Sequence, residues 1–157
     1  MPPKLLDRLS PRTLVLALLG LATAVKTLWA TTSVGTTDAV LFFHFGRSIQ
    51  SHGLARMYVI DKVFNHTPFT GWTMRMLYLI SQGDYLHFAE GLRMLCILAD
   101  IAMVLGLLHV RKLTGKPPWW ALCLFAASPV SIMVSGFHGN IDPIMVMFLF
   151  LAAVAVL

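Results

Sequence analysis

Charge is scarce in this chain. Asp, Glu, Lys and Arg make up only 12% of its 157 residues, against about a quarter in an ordinary soluble domain. With 57% hydrophobic residues and a mean hydropathy of +0.76, that shortfall excludes a soluble globular fold and indicates an integral membrane protein. Acidic residues are scarcer still, seven against twelve Lys and Arg, which leaves a net charge of +5. The basic residues form no long run and no single face, so a nucleic-acid partner is not indicated. Cysteine is nearly absent. Its two copies, Cys96 and Cys123, fall inside apolar segments and read as small buried hydrophobes rather than a disulfide or metal pair. Internal repeats and low-complexity linkers are also lacking. No A-x-A-like cleavage site follows the first apolar segment, and Trp29 stands where a small residue would be wanted, so that segment reads as an uncleaved signal anchor.

What the sequence does have is long apolar runs. Four are expected to enter the membrane, at residues 14–34, 91–110, 117–136 and 143–157. The first would span roughly 30 Å as a helix. The last would cover only about 22 Å, so the chain is expected to end inside a membrane helix. Lys4, Arg8 and Arg12 precede the first run, and Arg111, Lys112 and Lys116 follow the second. These two basic clusters predict a cytoplasmic N-terminus and a cytoplasmic loop after the second span. The segment 35–90 and the short turn "FHGNID" then share the opposite face.

The 35–90 segment is too long and too aromatic for a plain connection. In "DAVLFFHFGRSIQSHG", Phe42, Phe45 and Ile49 fall on one helical face, while His44, Arg47, Ser48 and Ser51 fall on the other. Asp38 is expected to N-cap this surface helix and Gly53 to stop it. "TGWTMRMLYLIS" predicts a second such helix, and "QGDY" breaks the pattern before the second span. The match of Asn65-His66-Thr67 to a glycosylation acceptor is read as coincidental, given Pro68.

Several polar residues need a reason. Asp38 opens the long loop, where a carboxylate serves either as a cap or as a general base. Asp142 before Pro143 is a favourable helix start, with capping as its expected role. Capping does not explain His138 and Asn140, and the amides at that helix start would suit a phosphate. Asp100 lies mid-span, where an unpaired charge is costly. Lys26 is expected to snorkel or to pair with an acid, but its place near the outer end of the first span argues against Asp100 as its partner. Asp100 is therefore expected to be protonated or paired elsewhere. Glu90 and Arg93, at i and i+3, are expected to form a local ion pair.

The order of these features resembles the GT-C superfamily of polytopic glycosyltransferases, in its mannosyltransferase-like branch. The residues that carry the resemblance are Asp38 after the first span, Ser128-Pro129, and the block Gly136-Phe137-His138-Gly139-Asn140-Ile141-Asp142-Pro143. The resemblance implies an all-α transmembrane bundle of about four spans with amphipathic helices in the first external loop, forming the N-terminal part of a longer enzyme. It implies sugar transfer from a polyprenyl-phosphate-linked donor to a glycan, lipid or protein acceptor on the non-cytoplasmic face. The host membrane would be the plasma membrane of a prokaryote or the endoplasmic reticulum of a eukaryote. Asp38 is the catalytic candidate; His138, Asn140, Asp142, His44 and Arg47 are the substrate-binding candidates. Arg47, Arg56 and Lys62 are expected near lipid headgroups. No metal ligands are assigned and no cofactor is required, although the resemblance leaves room for a divalent metal. The rival expectations are a transporter or lipid flippase built around Asp100, and a non-catalytic membrane subunit.

Overall fold

Local signals start and stop most of the helices. The computed structural model describes residues 10–156 of the chain. Helix α1, Pro11–Thr32, begins where Ser10 accepts a hydrogen bond from the Thr13 amide and Pro11 takes a position that needs no donor. Helices α2 (Thr37–His52), α3 (Leu54–Ile60) and α4 (Pro68–Ile80) fill the long loop. Gly53, at φ 82°, ends α2 and leads directly into α3. Thr67 caps α4 through its hydroxyl. Helix α5, Tyr85–Thr114, is capped by Asp84 and stopped by left-handed Gly115.

The next span is not one regular helix. α6, Trp119–Ala126, gives way at Ala127 and Ser128 to a single turn, α7 (Pro129–Ser131), and then to a π-helical segment, Ile132–His138. Pro129 lacks the amide a continuous helix would need there, and Ser128 accepts from the Ser131 amide to restart it. Helix α8, Asp142–Val154, follows left-handed Gly139.

Three helical stretches are long and apolar enough to cross a membrane: Pro11–Thr32, Tyr85–Thr114 and Trp119–His138. α8 is apolar but spans 13 residues. Among the described residues every regular element is a helix. α1 packs on α5, α6 and the π segment, and α5 also packs on α8. One core lies between α1, α5 and α6, around Val15, Leu19, Val104, Leu122 and Ala126. A larger one docks the loop helices onto α5 and α8, with Phe42, Phe45, Met74, Phe88, Leu92 and Ile144 at its centre.

The expected surface helices are therefore present, and Phe42, Phe45 and Ile49 do face inward. α4 has a second apolar side. Met74 and Leu77 are buried, whereas Trp72, Met76 and Ile80 are about half exposed or more, as suits a helix at a membrane surface.

Two expectations about polar residues are overturned. Lys26 does reach Asp100: Nζ lies 2.7 Å from Oδ2, with both side chains largely buried. The same carboxylate oxygen accepts from Ser131 at 2.8 Å and from Ser135 at 2.5 Å. α1 and α5 are antiparallel, so depth must be counted from the same end of each. Lys26 precedes residue 34 by eight and Asp100 follows residue 91 by nine, which puts both about 12 to 14 Å below that end. Arg93 does not pair with Glu90. It is buried and donates Nε to the Ala89 carbonyl, Nη1 to Ser33 Oγ and Nη2 to the Ser33 carbonyl. The open C-terminal end of α1 is the stronger attraction, because its last carbonyls lack intrahelical partners.

Candidate functional site

Four chain segments converge at one end of the bundle: the end of α1, the start of α2, the first three turns of α5 and the π segment with its following turn. The link from α1 to α2 is fixed from three sides. Arg93 holds Ser33, the Tyr85 hydroxyl donates to the Val34 carbonyl at 2.9 Å, and the Thr36 hydroxyl lies 2.9 Å from both the His138 carbonyl and His138 Nδ1. Gly35, at φ 83°, lets the link turn beneath the Phe137 carbonyl.

This arrangement brings Asp38 to His138. Oδ2 and Nδ1 are 3.5 Å apart, and both side chains are about two-fifths exposed. The hydrogen bonds around Thr36 assign the ring's proton. A hydroxyl has one proton to give and a carbonyl can only accept. Thr36 Oγ1 donates to the His138 carbonyl, which leaves His138 Nδ1 as the donor toward Thr36 Oγ1, while Asp38 Oδ2 stands beside the ring at 3.5 Å without a hydrogen bond to it.

Against expectation, neither Asp38 nor Asp142 caps its helix. Thr36, not Asp38, is the N-cap residue of α2, and Asp38 stands inside the first turn with no capping bond from its side chain. The backbone link pinned by Thr36 starts the helix two residues before Asp38, freeing its carboxylate. At α8 the side chain that accepts is that of Asn140, from the Asp142 amide at 3.2 Å. Asn140 is thus the residue used for local structure, further tied by Cys96 Sγ, which donates to its carbonyl at 2.9 Å. Asp142 is exposed and uncommitted to capping. Its charge acts on His66, whose ring packs against Phe42, Phe45 and Phe64. Burial among these rings holds the His66 pKa below its usual value, and Asp142 only partly offsets that.

His44 and Arg47 stand apart from this pair. Both are exposed on α2; Arg47 lies nine residues beyond Asp38, half a rotation around the helix and roughly 13 Å along it. Among the described residues no three His, Cys, Asp or Glu side chains gather into a set that would hold a metal ion. Sequence reasoning overlooked Thr36 and Ser33 and gave Arg93 only a local pairing with Glu90. Only Arg93 carried a signal, as a charged residue inside the apolar start of a span. No protein family, curated protein or solved structure matches the chain.

Proposed function

We propose that this chain is part of a polytopic membrane glycosyltransferase of the GT-C kind, which transfers a sugar from a polyprenyl-phosphate donor to an acceptor hydroxyl at the non-cytoplasmic face. The observation that carries the reading is the meeting of Asp38 with His138, one hundred residues apart in sequence and 3.5 Å apart in space, inside the two segments on which the resemblance rests. Further support comes from the half-exposed apolar side of α4, which suits a lipid-borne donor arriving from the bilayer.

In this mechanism His138 stands beside Asp38 Oδ2 at 3.5 Å, and the Asp38 carboxylate takes the proton from the acceptor hydroxyl. The acceptor oxygen attacks the anomeric carbon as the bond from that carbon to the phosphate oxygen breaks. The sugar is transferred with inversion, and polyprenyl phosphate leaves as the anion. The buried Arg93 guanidinium, bonded only to neutral oxygens, contributes positive potential at this end of the bundle, where the leaving charge develops. Asp38→Asn is expected to lower transfer from a lipid-linked sugar about 100-fold to 10,000-fold with unchanged expression. His138→Ala should cost less, because it removes only the group that orients the base. Undiminished transfer by Asp38→Asn would sink the assignment.

A transporter or flippase is the second reading, favoured by the Lys26–Asp100 pair and the 300 Å3 cavity beside it, which Asp100, Ser131 and Ser135 help to line. A pair that already satisfies both charges has less to offer a transported ion. Transport lost in Asp100→Asn at normal stability would favour this reading instead.

A further inference from the structure

We propose that the groove at the end of the bundle opposite Asp38 binds an anionic phospholipid. Because α1 and α5 run antiparallel, the first turn of α1 meets the last turns of α5. There Arg12, His109, Arg111 and Lys112 converge on a cavity of about 540 Å3 whose apolar wall includes Leu16 and Leu105. Among the described residues, none of these three Arg and Lys side chains is paired with a carboxylate. Like charges held together in this way favour an anion between them.

Polarity is graded along the groove. Arg12 and Leu16, four apart, share a face of α1, and Leu105, His109 and Lys112 share a face of α5. The leucines therefore lie about 6 to 10 Å further into the bundle than the basic groups. Leu16 is 39% and Leu105 49% exposed, so the groove is open along its apolar length. A phosphate at the basic end with an acyl chain along the leucines fits both halves, as in basic pockets between membrane helices that bind lipid headgroups. Free phosphate would use only the first half. Arg111 is already fixed as a cation at the rim: it lies 4.1 Å from the centroid of the Trp119 ring and donates to the carbonyls of Gly115 and Pro117. Its partners are neutral, so its charge remains to act on a headgroup. This site is independent of the proposed transfer reaction.

The test is native mass spectrometry of the purified chain in detergent doped equally with phosphatidylglycerol and phosphatidylcholine. Phosphatidylglycerol should be retained at least tenfold better. Arg12→Gln and Lys112→Gln should each weaken that retention about fivefold, with helical content by circular dichroism unchanged. Leu105→Gln keeps every charge and should weaken it as well. Equal retention of the two lipids, or retention unaffected by the two charge substitutions, overturns the proposal. Displacement of phosphatidylglycerol by millimolar inorganic phosphate would assign the groove to a soluble anion and overturn the lipid assignment.

Discussion

His66 is held in its neutral form by where it lies, in the turn before α4 with its ring against three phenylalanines. Its pKa is lowered from 6.5 in the folded chain, mainly by burial. A histidine with a depressed folded pKa binds its proton more readily when unfolded, so stability falls as the pH drops below 6.5 and levels off below the folded value. Thermal unfolding in detergent should therefore show a lower Tm at pH 5 than at pH 7.5. His66→Phe, which keeps the ring in its aromatic setting, should narrow that gap; an identical gap in the variant would show that other groups set it. Asp142 is the opposing influence, since its carboxylate favours the charged ring. Asp142→Asn should accordingly steepen the loss at low pH.

At the scale of helices, close approach decides how the loop layer is attached. α2 and α4 meet at Gly46, where an added Cβ would stand 2.5 Å from the Met74 carbonyl oxygen and 3.0 Å from its carbon. Backbone cannot swing aside as a side chain can, so Gly46→Ala should separate the two helices at a cost of about 1 to 3 kcal/mol. The same substitution at Gly20, whose added Cβ would meet nothing within 4 Å, should be neutral or slightly stabilising. Comparing the two variants in denaturant separates crowding from helix propensity, and equal behaviour would remove the packing argument. These helices were legible beforehand because Phe42, Phe45 and Ile49 repeat with helical spacing and Gly53 follows them. The break at Ser128-Pro129 and the π-helical turn were not. A proline seen in an apolar run marks a disturbance, but the extra residue per turn depends on what α1 presents opposite. There Gly136 faces the Lys26 backbone, only 2.8 Å from where its Cβ would be, and Ser131 and Ser135 both bond to Asp100.

For the whole molecule, the question is what clamps three apolar spans together where lipid gives no hydrophobic reward for association. The same counting of depth explains what was readable of the candidate site. Asp38 and His138 fell on one side of the membrane by charge count and proved to be neighbours, whereas the start of α2 at Thr36 and the Asn140 turn before α8 depended on a backbone path no periodicity records. The clamp lies deeper. Lys26 of α1, Asp100 of α5, and Ser131 and Ser135 of the third span share a single carboxylate oxygen. Lys26→Met leaves the carboxylate without its cation, and Asp100→Leu leaves an ammonium among apolar helices; each should destabilise the bundle by about 3 kcal/mol or more. Replacing both removes the stranded charge. Lys26→Met with Asp100→Leu should thus be more stable than at least one of the single variants, a large coupling in a double-mutant cycle of unfolding in mixed micelles. Additive losses would mean that the two residues act separately and that the spans are held by packing alone.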